Sequence, residues 1–304
     1  MTAVKKNSLK AWVLAARPKT LTGAAVPVMT GVSLAWLDAQ MYEKGTFSWT
    51  AATLCLLFAF VMQTDANFIN DFVDYARGTD DNATRLGPER ACAQGWVSTE
   101  AMKRAIAATT CLACLIGLPL ILYGGLEMIL IGMLCVVACF LYTTHLSYLG
   151  LGDLLVLLFF GIVPVSMTYY VQLHTVTPEV MASATACGLV IDALLLVNNF
   201  RDRDTDRQAG KNTLVVRIGA KATLNTYLAV GIAACALGLT ALCYGHYMAF
   251  LLPLLYLPLH MQTYLMMKRI DHGRELNKCL DLTARNILIF GLLITAGYIL
   301  HSIL

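Results

Sequence analysis

The chain has 304 residues, of which 58% are hydrophobic and only 13% are charged, with a formal net charge of +3. Its mean hydropathy of +0.65 excludes an ordinary soluble domain, and its small net charge gives no sign of a nucleic-acid partner. The composition predicts an integral membrane protein with membrane lipids around it, and it implies no obligatory protein partner.

Stretches of about 20 apolar residues, the length that crosses a bilayer core as a helix, predict the transmembrane segments. Nine occur, at residues 20–37, 51–71, 104–123, 126–145, 152–173, 180–199, 223–243, 247–267 and 284–303. None shows the alternation of a membrane strand, so the predicted fold class is all-α, a polytopic bundle of nine transmembrane helices. The whole chain, 1–304, is expected to form one domain.

The distribution of Lys and Arg predicts the orientation of this bundle. If the N-terminus is cytoplasmic, Lys44 is the only one of the 22 basic residues on the outer side. Cytoplasmic loops of membrane proteins carry such an excess of positive charge. The C-terminus is then expected outside, and segments 75–103 and 201–222 are expected to be cytoplasmic loops that cover the bundle.

The stretch "NFINDFVDYARGTDD", residues 67–81, follows the second apolar run. Asn67, Asp71 and Asp74 are spaced i, i+4, i+7, and Asn70 and Asp74 are spaced i, i+4, so they are expected to form one polar helix face. Acids at the C-terminal end of a helix oppose its macrodipole. This arrangement favours a cation site over an ordinary solvated helix end.

A second acidic stretch, "NNFRDRDTDRQAGK" at residues 198–211, follows the sixth apolar run. Asn198, Asp202 and Asp206 recur at i, i+4, i+8, and Asn199 lies close to one turn before Asp202. The two stretches align when Asn198–Asp202 is laid over Asn70–Asp74. They are expected at the same membrane face.

Two acidic faces at one membrane surface can hold divalent metal ions between them. Mg²⁺ takes few protein carboxylates and keeps substrate phosphate or water as its other ligands, so a bridging polyphosphate is predicted. Basic side chains near the two stretches are expected to bind its remaining oxygens. They are Arg77, Arg85, Arg90, Arg203, Arg207 and Lys211.

The two stretches are similar to the paired aspartate-rich motifs of the UbiA-type intramembrane prenyltransferase superfamily, and the similarity runs over nearly the full chain. Three further stretches resemble the branch that prenylates 1,4-dihydroxy-2-naphthoate in menaquinone biosynthesis. They are "ARPKTLTGAAVPVMTG", "YTTHLSYLGLGDLLVLLFFGIVPVSMTYYVQ" and "DTDRQAGKNTLVVRIG". The resemblance implies a bacterial cytoplasmic membrane enzyme whose active site faces the cytoplasm.

The resemblance also implies a mechanism. A polyprenyl diphosphate would bind through Mg²⁺, or Mn²⁺ in its place, held by Asp71, Asp74, Asp202 and Asp206. Asn67, Asn70, Asn198 and Asn199 would contact the substrate, and the C–O bond would ionise to an allylic cation that the naphthoate ring attacks. Diphosphate and CO₂ would leave.

The chain departs from the superfamily pattern at two places. Gly78 stands where many members carry a third acid, and whether Asp80 or Asp81 takes its part stays open. Relatives that act on hydroxybenzoate often carry a lysine after the residue matching Tyr142, whereas this chain reads "YTTHLSY". The difference argues against hydroxybenzoate as the acceptor.

Four further residues each have two interpretations. Asp65 either accepts a substrate proton or pairs with a neighbouring helix, and Asp153 either caps its helix or lines the substrate pocket. Arg17 either binds the aromatic carboxylate or anchors the first helix at the surface. Tyr142 either lines the pocket or marks the membrane interface.

Two alternatives compete with this interpretation, one from another class of protein and one from the same superfamily. Intramembrane acids and an internal repeat also suit a transporter. The repeat here is parallel, however, and its acids lie at a membrane surface beside basic segments, which favours a site for a metal and diphosphate. Within the superfamily, a sister aromatic prenyltransferase or a haem prenyltransferase is the alternative.

Overall fold

The computed structural model describes residues 4–42, 45–78 and 85–303. In these ranges nine helices are long and apolar enough to cross a membrane, and no strand occurs, which confirms the predicted all-helical architecture. They are α1 (Leu9–Met41), α2 (Trp49–Ala76), α3 (Thr99–Gly124), α4 (Glu127–Thr144), α5 (Gly152–Leu173), α6 (Pro178–Gln208), α7 (Leu214–Cys243), α8 (Tyr247–Ile270) and α9 (Arg274–Ile303).

Several of these helices contain a short 3₁₀ or π turn. The 3₁₀ turns are Pro18–Thr20 in α1, Leu118–Leu120 in α3, Leu252–Leu255 in α8 and Arg274–Leu276 at the start of α9. The π turns are Tyr142–Leu146 at the end of α4 and Leu158–Ile162 within α5. In α1, α3 and α8 the turn contains a proline, which cannot donate the hydrogen bond that continues an α-helix.

The helix α6 forms the centre of the bundle. In its most apolar 18-residue window 72% of the residues are buried, against 11% in α3 and in α4. Gly161 of α5 packs directly on α6, since a Cβ there would lie 2.6 Å from both Ala184 O and Gly188 Cα. Small residues permit such close approach between membrane helices, and α5 is thereby fixed against α6.

The ends of α2 and α6 extend past the ends predicted at residues 71 and 199. Both acidic stretches are therefore largely helical, because backbone hydrogen bonding continues after the apolar side chains stop. The loop predicted at 201–222 is wrong in its bounds: α6 runs to Gln208 and α7 begins at Leu214, where Thr213 accepts a cap hydrogen bond from Val216 N. Residues 85–98, here named the capping segment, have no regular helix.

Candidate active site

An elongated cavity of about 910 Å³ runs through the bundle beside α6. Its walls come mainly from α1, α2, α4, α5 and α6. Asp74 lines one end, and Cys55 of the same helix lines the other, together with Leu120 and Met128. At 1.5 Å per residue, Cys55 and Asp74 are about 28 Å apart along α2. The cavity thus has one polar mouth and a long apolar interior.

The α2 side of the polar mouth is formed by Asn70 and Asp74, one helical turn apart, and both line the cavity. The Thr143 hydroxyl donates a hydrogen bond to Asn70 Oδ1. Arg90 of the capping segment donates from Nη2 to Asp74 Oδ2 at 3.1 Å. The sequence offered two sets of spaced polar residues in the first stretch. The set that faces the cavity is the pair Asn70 and Asp74.

The α6 side of the mouth is formed by Asn198, Asp202 and Asp206, and all three line the cavity, as does Asn199. Arg201, which sequence reasoning missed, is only 3% exposed. Its guanidinium donates to Asn198 Oδ1 at 2.8 Å and to both oxygens of Asp202. Arg201 lies three residues after Asn198 and directly before Asp202. This spacing was the signal in the sequence that could have identified it as part of the site.

Asp71 does not line the cavity. It is 1% exposed, and its two oxygens accept hydrogen bonds of 2.8 Å from the backbone N–H groups of Ala91 and Cys92. Arg17 Nη2 lies 3.6 Å from the same carboxylate. The predicted polar face that joined Asp71 to Asp74 is wrong, because the capping segment packs on the side of α2 where Asp71 projects.

Asn67 is also turned away from the cavity. The helix α1 breaks after Ala16, where Arg17 adopts a left-handed backbone with φ of 50°. The break leaves carbonyl oxygens without a helical partner, and Asn67 Nδ2 donates to Ala16 O and to Thr20 Oγ1 at 2.9 Å each. Asn67 therefore fastens α1 to α2, while Arg17 itself lines the cavity.

The predicted basic residues divide into two groups. Arg85, Arg90 and Lys211 line the polar mouth, and Lys211 Nζ lies 3.9 Å from Asp206 Oδ1. Together with Arg17 they place four cationic side chains around one opening. Positive charge is therefore concentrated where the acids of α2 and α6 meet.

The other three basic residues lie elsewhere. Arg77 donates to the carbonyl oxygens of Thr143 and Thr144 and stacks over Tyr148. Arg203 is buried and donates to Phe200 O and to Asp271 O, while Arg207 is exposed and does not line the cavity. Their predicted contact with a phosphate group is not supported, because backbone carbonyl oxygens hold Arg77 and Arg203 and because Arg207 lies outside the cavity lining.

Asp65 accepts hydrogen bonds from the Thr109 and Thr110 hydroxyls of α3 and is fully buried outside the cavity lining. Of its two interpretations, pairing with a neighbouring helix is the one the structure supports. Tyr142 and Asp153, in contrast, both line the cavity between the polar mouth and the apolar interior.

The donor set at the mouth fits a magnesium ion that shares its ligands with a substrate. Among the described residues, no three acidic, His or Cys side chains converge closely enough to hold a metal alone. Carboxylate and amide oxygens from two facing helices are present, and Mg²⁺ usually completes such sets with phosphate and water. Asp80 and Asp81, between which the sequence left the choice open, lie outside the described residues.

Comparison with known proteins gives concordant results. The sequence profile described as the UbiA prenyltransferase family matches residues 25–293. The chain is 39% identical over 228 residues to the 1,4-dihydroxy-2-naphthoate octaprenyltransferase of Escherichia coli (strain K12), covering 72% of each chain.

Two solved structures have the same fold. An apo UbiA homologue from Aeropyrum pernix K1 superposes with a TM-score of 0.68 at 19% identity, covering 92% of this chain and 97% of that one. A UbiA homologue from Archaeoglobus fulgidus, bound to GPP and Mg²⁺, gives 0.57 at 16% identity, covering 93% and 99%.

Proposed function

This chain belongs to the UbiA prenyltransferase family, and on that premise we propose that it transfers a polyprenyl group from its diphosphate to 1,4-dihydroxy-2-naphthoate. Diphosphate and CO₂ leave, and a demethylmenaquinol remains. The relative from Escherichia coli carries the name of this reaction. The choice of 1,4-dihydroxy-2-naphthoate as the acceptor follows from that similarity. The shape and polarity of the cavity support the transfer of a prenyl group.

One observation carries the proposal: the acidic ends of α2 and α6 face each other at the mouth of a long apolar cavity. A polyprenyl diphosphate has the matching polarity, with an anionic head and a hydrocarbon tail. Its head fits at the mouth, and its tail fits along the interior towards the end lined by Cys55 and Met128. A transporter site near the middle of the membrane would lack this asymmetry.

The residues that would hold the metal ion are Asp74, Asp202 and Asp206, with amide oxygens from Asn70 and Asn198. When bound, Mg²⁺ supplies positive charge that stabilises the diphosphate as it leaves. The archaeal homologue with GPP was solved with Mg²⁺, which supports a divalent ion here. Mn²⁺ is the alternative ion.

The chain's own residues complete the site. Arg85, Arg90 and Lys211 bind phosphate oxygens from the rim, since guanidinium and ammonium groups pair with phosphate. Arg90 is already held towards the mouth by Asp74. The apolar interior excludes water from the allylic cation, which would otherwise be hydrolysed.

The mouth lies at the end of the bundle where the Lys and Arg residues concentrate. By the positive-inside rule this end faces the cytoplasm, with the N-terminus inside and the C-terminus outside. A bacterial cytoplasmic membrane is the location we propose. The metal ion and the naphthoate are both water-soluble, and the site can then take them up from the cytoplasm.

Purified protein in nanodiscs tests the proposal directly. It is incubated with a polyprenyl diphosphate, Mg²⁺ and a panel of aromatic acceptors that includes 1,4-dihydroxy-2-naphthoate and 4-hydroxybenzoate, and products are identified by mass. We expect a demethylmenaquinol that EDTA abolishes and Mg²⁺ restores. Prenylation of another acceptor alone would move the protein to a sister activity, and no prenylation by folded protein would refute the enzyme assignment.

A further inference from the structure

Two carboxyl groups beyond the polar mouth have no basic partner within the described part of the chain. Asp153, in the first turn of α5, lines the cavity, and Asp192 of α6 is 6% exposed and lies close enough to interact with it electrostatically. In each residue Oδ1 is buried without a hydrogen-bond partner among the described residues. Neither forms a salt bridge there.

A helix-capping role does not account for Asp153. The cap position of its helix is Leu151, and no side chain there makes a cap hydrogen bond. Unpaired acids in a membrane interior are costly and usually serve a function. The buried carboxyl groups of Asp153 and Asp192 therefore leave acceptor positions unfilled, and Asp153, which lines the cavity, is the one that a ligand hydroxyl could reach.

Tyr142 connects this acid pair to the polar mouth. Its ring packs on Gly152, where a Cβ would lie 3.9 Å from the Tyr142 hydroxyl oxygen. It interacts electrostatically with Asp153 and Asp192 as well as with Asp74 and Asp206. The tyrosine thus stands between Asp153 and the acids of the polar mouth, and all of these residues line one cavity.

We propose, on the basis of the function proposed above, that Asp153 is the proton-accepting residue for the phenolic acceptor and that Asp192 is a positioning residue behind it. A hydroxyl of the acceptor supplies the missing donor to Asp153. Two neighbouring carboxylates repel each other, and the repulsion is relieved when one of them takes up a proton. Tyr142 forms the wall against which the acceptor ring is placed.

The proton and electrons balance without any further reactant. The hydroxyl next to the carboxyl-bearing ring carbon gives its proton to Asp153, and its C–O bond becomes C=O as that carbon bonds to C1 of the prenyl group. The C1–O bond breaks and its electron pair leaves with the diphosphate. Loss of CO₂ then returns an electron pair to the ring, and the oxygen recovers the proton from Asp153.

The test uses full-length protein in nanodiscs with Mg²⁺, a polyprenyl diphosphate, and either 1,4-dihydroxy-2-naphthoate or its 1-O-methyl ether. Asp153→Asn is compared with Asp38→Asn, a buried acid that instead accepts a hydrogen bond from Tyr169. For Asp153→Asn we expect kcat with the diol to fall at least about 100-fold, the usual contribution of a general base. Prenyl diphosphate affinity and thermal stability should match those of Asp38→Asn.

The methyl ether makes the result specific. The ether lacks the proton that Asp153 accepts, so the wild type should be much less active on the ether than on the diol. On the ether, Asp153→Asn should be as active as the wild type. Asp192→Asn should lower kcat by a smaller factor without changing KM for prenyl diphosphate. Two outcomes would overturn the inference. In the first, the activity losses caused by Asp153→Asn and by the methyl ether multiply when they are combined. In the second, Asp153→Asn keeps activity on the diol within about threefold of wild type.

The same experiment separates this inference from the proposed function. If wild type prenylates no dihydroxynaphthoate, the function and the inference fall together. If wild type is active and Asp153→Asn loses prenyl diphosphate binding in proportion to its activity, only the inference falls, because the residue would then act on the other substrate.

Discussion

Replacing Asp71 by alanine tests whether this carboxylate holds the capping segment or a metal ion. Its oxygens accept hydrogen bonds from the backbone of Ala91 and Cys92. A buried N–H left without a partner costs about 1–3 kcal/mol. Asp71→Ala leaves two such groups, so opening of the capping segment should become easier by about 2–6 kcal/mol.

Amide hydrogen exchange measures this local change directly. At the lower bound of about 2 kcal/mol, exchange of the Ala91 and Cys92 amides should accelerate about 30-fold. Amides in the middle of α6 should keep their rates, because α6 is packed by other helices. Turnover should also fall, since Arg90 reaches Asp74 from the same segment.

The Mg²⁺ dependence of activity distinguishes the two roles. Asp74→Ala, on the cavity side of α2, is the matched comparison and should raise the Mg²⁺ concentration for half-maximal activity by at least about tenfold, or 1.4 kcal/mol. Asp71→Ala should leave that concentration within about twofold of wild type. The reasoning is refuted if Asp71→Ala shifts the Mg²⁺ dependence as far as Asp74→Ala while exchange at Ala91 and Cys92 stays normal.

Five further substitutions have expected outcomes. Arg203→Ala should lower the free energy of unfolding in detergent by about 2–4 kcal/mol, because buried carbonyl partners are left unpaired, whereas exposed Arg207→Ala should change neither stability nor KM by more than about twofold. Gly161→Ala should cost about 1–3 kcal/mol through overpacking against α6, while Gly132→Ala, where a Cβ meets nothing within 4 Å, should not destabilise; thermal unfolding compares them. Cys111→Ala, at an exposed position of α3, should retain activity within about twofold in the prenylation assay.

Hydropathy predicted the number and order of the membrane helices because each has enough apolar residues to cross the bilayer. It placed the ends of α2 and α6 too early, since a helix that leaves the membrane keeps its backbone hydrogen bonds while its side chains become polar. The ends of these helices carry the acids, so their exact length decides which acids meet.

The direction of each acidic side chain was harder to predict. Asn67 with Asp71, and Asn70 with Asp74, are both i, i+4 pairs, and the two pairs differ by about 60° around the helix. Spacing alone does not choose between them. The choice follows from the capping segment, whose backbone N–H groups take the Asp71 carboxylate, and such a tertiary contact leaves no mark in local periodicity.

The pair α3 and α4 gives the bundle a direct response to the surrounding membrane. Both helices are little buried by the rest of the protein, and α4 lines the cavity. Lipid therefore lies against a wall of the reaction chamber, and we expect the rate of prenyl transfer to depend on bilayer thickness without any effector site.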